Sequence, residues 1–113
     1  MITPKKLMAP AQLTAAAVTY YTTPVNTRTI IKKLTFTNPV SSAAPRIVTV
    51  HLVPAAGAAS DTNTITSQHS IAIGQTWECF EAENHILSPG DFVQALADAG
   101  TDVSMMMSGL EVT

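Results

Sequence analysis

Apolar and β-branched residues recur with a period near two along most of the chain, in short runs divided by Pro, Gly, Asn and Asp. The longest run is Thr29–Asn38 (TIIKKLTFTN), which stops at Asn38-Pro39. Alternation puts Ile30, Leu34 and Phe36 on one face of a strand, with Thr35 and Thr37 on the other. Lys32 falls on the apolar face. Either a bulge at Lys32-Lys33 shifts the phase or the strand leaves the core there, and the cost of burying an unpaired lysine favours the bulge. In Arg46–Val53, Val48, Val50 and Leu52 point inward while Thr49 and His51 point outward. The loop between these two runs predicts a hairpin. Thr62–Ile73 is a weaker strand with Ile65, Ser67, His69 and Ile71 on one face. In Thr76–Glu81, Trp77 and Cys79 share a face and Phe80 takes the other. Phe92–Ala97 follows, then Val103–Val112, where Val103, Met105 and Met107 are out of phase with Leu110 and Val112. A bulge at Gly109 reconciles the two.

Turn chemistry divides the runs. Ser88-Pro89-Gly90-Asp91 has Pro second and Gly third, the type II signature, because Gly takes the positive φ cheaply. Thr23–Thr27 and Gly74-Gln75 are further turns, and Asp98–Thr101 reads as a hairpin tip. Residues 1–15, with Pro4, Pro10 and Lys5-Lys6, read as an extended N-terminal arm. Within it Gln12–Ala17 suits one helical turn, although the β-like Val18–Thr22 run prevails. The fold expected is all-β, an antiparallel jelly-roll-like β-sandwich of about eight short strands in residues 16–113, preceded by that arm.

Charged residues are only 12% of the chain, against about 25% in an average soluble domain. A neutral Thr-rich surface accounts for this, and so does a surface covered by partners. All six basic residues precede residue 50 and all eight acidic ones follow residue 60. If the fold keeps them apart, opposite patches favour head-to-tail or ring-like association between copies. Six scattered cations beside eight anions make no basic stripe, so nucleic acid is not an expected partner. The start lacks the apolar run of a signal peptide and no stretch suits a membrane span, so assembly in the cytoplasm without a membrane partner is expected. The single cysteine excludes an internal disulfide framework.

Candidate chemistry is sparse. His51, His69 and His85 have no short metal-ligand spacing. Cys79 has no activating neighbour in sequence, and Glu78, Glu81 and Glu83 read as a solvated strand end rather than an acid–base pair. Trp77, Tyr20 and Tyr21 are the candidate stacking platform of a carbohydrate-binding module, but aromatics are 5% of the chain. No catalytic, metal or cofactor site is predicted, and the chain is not expected to be an enzyme. One of Met105, Met106 and Met107 must face away from the core, and a subunit contact suits it.

The segments Ile30–Asn38 (IIKKLTFTN), Val48–Val53 (VTVHLV), Leu87–Asp91 (LSPGD) and Ser108–Thr113 (SGLEVT) resemble small structural proteins of tailed-bacteriophage virions. The resemblance covers about residues 20 to 113 and implies a jelly-roll-like sandwich on a capsid or tail. Its first implication is a capsid decoration (cement) protein on the virion surface, bound across major capsid protein subunits and to copies of itself, as a trimer rather than a dimer. A tail, neck or head-fibre component is the alternative. Contact residues are expected in the arm (Ile2, Lys5, Lys6, Leu7, Met8, Leu13), at Lys32 and Lys33, in the apolar tip (Pro54, Ala55, Ala56) and at Met106.

Overall fold

The alternating runs become ten strands and two short 3-10 turns in the computed structural model, which describes all 113 residues. The strands are β1 (Ile2–Lys6), β2 (Ala11–Gln12), β3 (Val18–Thr22), β4 (Arg28–Thr37) and β5 (Arg46–Val53). They continue with β6 (Thr64–Ile71), β7 (Thr76–Glu78), β8 (Ile86–Leu87), β9 (Phe92–Ala97) and β10 (Ser104–Val112). A front sheet runs β1-β10-β4-β7, with β2 also on β10 and β8 also on β4; a back sheet runs β3-β9-β5-β6. Every pairing is antiparallel. Because β1 and β2 share one partner, and β7 and β8 another, each pair behaves as one broken strand. Eight strands then remain, in the orders 1-8-3-6 and 2-7-4-5. That is the double Greek key of a jelly roll.

The core lies between the sheets. Ile31, Leu34, Phe36, Met105 and Met107 of the front sheet meet Val48, Val50, Val93, Ala95 and Ala97 of the back. Bulky residues on one side thus face small ones on the other. Each large side chain buried here contributes about 1.5–3 kcal/mol relative to exposure.

The bulge in β4 settles the phase. Ser108 pairs with Lys33 but Gly109 with Ile31, which leaves Lys32 as the extra residue. Both lysines therefore face outward, and Ile31, not Ile30, joins Leu34 and Phe36 in the core. The bulge expected at Gly109 is corrected: β10 has no extra residue, Met105, Met107 and Gly109 alternate inward without a break, and Leu110 and Val112 face outward. A Cβ at Gly109 would run into the carbonyl oxygen of Ile30, so the close approach of β4 requires glycine there. The two predicted turns also form: Asp91 N–H donates to Ser88 O with Gly90 at φ 87°, and Gln75 N–H to Ala72 O with Gly74 at φ 77°.

Several expectations are corrected. β4 and β5 do not form a hairpin, and neither do β9 and β10, since each connection crosses from one sheet to the other. The β4–β5 crossing is pinned by buried Asn38, whose Nδ2 donates to Ala44 O and Ile71 O, each at 3.1 Å. In β6, Gln68 at φ 55° breaks the alternation, so Thr66 and Ile71 are buried while Ser67 is exposed. Residues 1–13 are not a loose arm. β1 pairs with β10 from Ile2↔Val112 to Lys6↔Ser108, Leu7 N–H donates to Met107 O, and Leu13 N–H to Val103 O. Pro4 is tolerated because an edge strand has no second neighbour to receive its missing N–H. No helical turn forms at Gln12–Ala17; Ala11-Gln12 is strand and the rest bends.

Candidate interaction surfaces

Outward positions of an antiparallel sandwich are ordinarily polar. On one part of the front sheet they are not. Pro4, Leu110, Ile30 and Ile86 are cross-strand neighbours in one row spanning β1, β10, β4 and β8. Ile2 and Val112 form the next row. Ile2 and Ile86 are 65% and 62% exposed. On the other side of the apolar row, Lys6, Ser108 and Lys33 are aligned neighbours, with Lys32 bulging beside them. Lys32 Nζ donates to Asn84 Oδ1 at 2.8 Å and Lys33 Nζ lies 3.6 Å from Glu78 Oε1. Beyond the lysines, Met106 is half exposed and lines a small groove with Met8 and Pro10.

Of the expected contact residues, Ile2, Lys6, Met8, Lys32, Lys33 and Met106 are brought together on this face. Lys5 points to the sandwich edge, where its Nζ is 3.3 Å from Glu111 Oε1. Leu7 and Leu13 are corrected: they are core residues, 6% and 0% exposed, because the strand pairing turns them inward. Pro54, Ala55 and Ala56 lie elsewhere, at one end of the sandwich. The residues missed in the sequence are Ile30, Leu110 and Ile86. The adjacent Ile30-Ile31 pair was the available signal, since one of the two must face out of a strand.

At that end, the loops are strapped together. Gly57 N–H donates to Pro54 O, Ala55 N–H to Asp91 Oδ1, Thr23 N–H to Asp91 O and Gly90 N–H to Thr23 O. Ala56 sits at φ 63°, and a Cβ on Gly90 would stand 2.9 Å from that of Ala55. The result is a fixed, exposed platform of Pro24, Val25, Pro54, Ala55, Ala56 and Pro89. Its one carboxylate, Asp91, is occupied by the N–H groups of Ala55 and Ser88.

The groups considered for chemistry are held in structural contacts. No group of three His, Cys, Asp or Glu side chains converges as a metal site. His51 Nδ1 sits 3.0 Å from Asn63 Oδ1, and His69 stacks on Trp77 at 3.7 Å between centroids. Phe36 covers the other face of Trp77 at 5.6 Å. Tyr21 is buried, so Trp77, Tyr20 and Tyr21 make no stacking platform. Burial pushes the Cys79 thiol upward, away from thiolate, and its Sγ lies 3.6 Å from Thr66 Oγ1. Glu83 is raised by a hydrogen bond with Glu78, while Glu81 accepts from Thr66.

No protein-family model matches the chain, and no curated protein matches it. Among solved structures, its fold is similar to a chain from the disulfide-linked pili of Bacillus endospore appendages. The TM-score is 0.57 at 14% identity, over 100% of this chain and 88% of that one. A looser likeness, TM-score 0.43 at 15% identity, is to infectious bursal disease virus strain Gx, over 98% of this chain and 32% of the viral one. The first likeness is one of fold, and the second adds nothing to it.

Proposed function

We propose that the chain is a repeated structural subunit of a virion, without enzymatic activity, and that it decorates the capsid by docking its strapped loop end onto major capsid protein subunits. The observation that carries this reading is the loop platform. Three segments distant in sequence are fixed by backbone N–H donors, that of Ala55 onto the Asp91 carboxylate, into an exposed surface of proline, alanine and valine. Ordering such loops before binding removes entropy that docking would otherwise cost. Repetition then multiplies modest contacts into a stable attachment. The resemblance of Ile30–Asn38 and Leu87–Asp91 to phage virion proteins supplies the partner. A fibre or tail component is the second reading, favoured by the likeness of the whole fold to a pilus chain.

The test is co-sedimentation with empty shells of the phage's major capsid protein. The wild type is expected to bind at a copy number that scales with the shell subunits, and the pair Val25→Glu and Ala56→Glu to lose binding while melting like the wild type. Recovery of only a small ring's worth of copies, at neck or tail, would replace decoration with the second reading. No binding to any particle component would overturn both.

A further inference from the structure

The front-sheet strands carry Lys5, Lys6, Arg28, Lys32 and Lys33 against Glu78 and Glu111, a balance of +3. Glu83 lies beside Glu78, Lys33 and Lys32 and brings the front to +2, while the remainder carries Arg46 against Asp61, Glu81, Asp91, Asp98 and Asp102, a balance of −4. Arg46 is itself neutralised by Asp102 at 2.7 Å. The halves of the sequence interleave in part, through the pairs Lys5–Glu111, Lys33–Glu78 and Arg46–Asp102, yet the front strands keep a net positive charge. Front packed on front would oppose like charges, so an isologous pair through this apolar face is disfavoured.

The back sheet offers the complement. Its outward positions include Ile47, Thr49 and His51 on β5 and Phe92, Gln94 and Leu96 on β9. Ile47 is 37% exposed. Exposed carboxylates stand at both ends of β5. Asp98 accepts from Ile47 N–H, and Asp61 opens the 3-10 turn that His51 contacts through Asn63. The broad side of the molecule spans 43 × 27 Å, wide enough to hold an interface of about 800 Å² per partner.

We infer that the front face of one copy docks on the back face of the next, the apolar rows of Ile2, Ile30, Ile86 and Leu110 meeting the β5–β9 surface and Lys6 and Lys33 meeting its carboxylates. The two faces lie on opposite sides of the sandwich, so the contact is head-to-tail and its repetition makes an open row. It is not the closed trimer expected from the resemblance. The inference rests on the reading of a repeated structural subunit, but its test uses the free chain and needs no shell.

Sedimentation velocity of the wild type at rising concentration and low salt is expected to show growing species, with growth weakened by salt. A front variant (Lys6→Glu with Ile86→Asp) and a back variant (Ile47→Lys with Asp61→Lys) are each expected to raise the association midpoint by about tenfold or more. Mixed together, they should form a one-to-one complex and grow no further, because each keeps one working face. Unchanged thermal melts confirm that both variants fold. A wild type that stays monomeric, a discrete wild-type trimer, or a mixture that stays dissociated would each overturn the inference.

Discussion

Tyr21 and Glu111 join the two sheets at the β3 and β1 edge of the sandwich. The Tyr21 hydroxyl is 2.6 Å from Glu111 Oε2 and 2.7 Å from Thr29 Oγ1. Burial, with the hydrogen bond to Glu111, pushes the phenol up to about 12, from 10.0. The Tyr21 hydrogen bond, with the Lys5 ammonium, holds Glu111 below its ordinary 4.5. A carboxyl lowered on folding contributes stability that is present above its unfolded value and lost as pH falls through the folded one. A phenol raised on folding contributes stability that is complete below pH 10 and lost as pH rises toward 12. Stability measured by urea unfolding across pH should therefore decline on both limbs. Glu111→Gln should flatten the acid limb and Tyr21→Phe the alkaline one, the latter also costing about 1–3 kcal/mol at neutral pH. None of this trio was legible in the sequence, because the partners lie 90 and 8 residues apart and meet across the gap between sheets. The Lys32 bulge was legible as a disturbance of phase, since a broken alternation shows on a single strand, whereas the outward Leu110 and Val112 of β10 were misread as a second one.

At the scale of elements, the strands and turns could be read from alternation and from Pro-Gly chemistry, whereas the pairing of strands could not. Alternation says which side of a strand is buried and nothing about its neighbour, so β4 and β5 read as a hairpin although they belong to opposite sheets. Residues 1–13 misread for a related reason. Proline and lysine mark a wet, irregular segment, but on an edge strand both are at home. The correction changes what a deletion would do. Removing residues 1–12 strips β1, β2 and the core residue Leu7. The truncated chain is expected to lose its cooperative melt. Leu13→Ala, which empties a fully buried position, should cost about 2–5 kcal/mol by urea unfolding. A truncated chain with the wild-type melt would show that β1 and β2 contribute nothing to the fold.

For the whole molecule, the surfaces proposed for partners are the apolar rows of the front sheet and the loop end. The low charge content pointed toward such surfaces, but the rows became visible only once β1, β10, β4 and β8 were side by side. The sandwich also imposes an order on its own making. β1 has a single partner, β10, and the Met1 ammonium donates to Thr113 O at 2.6 Å. β1 leaves the ribosome well before β10 and must therefore wait for it. Throughout synthesis β1 is an unpaired edge with a free row of backbone donors and acceptors, open to pairing with another nascent chain. Pro4, Lys5 and Lys6 interrupt and charge that edge, as gatekeeping residues do. Nascent chains arrested before Ser104 emerges should be cleaved readily by a protease at residues 1–13, and chains released in full should resist it. Pro4, Lys5 and Lys6 thus keep the strand solitary until its partner arrives.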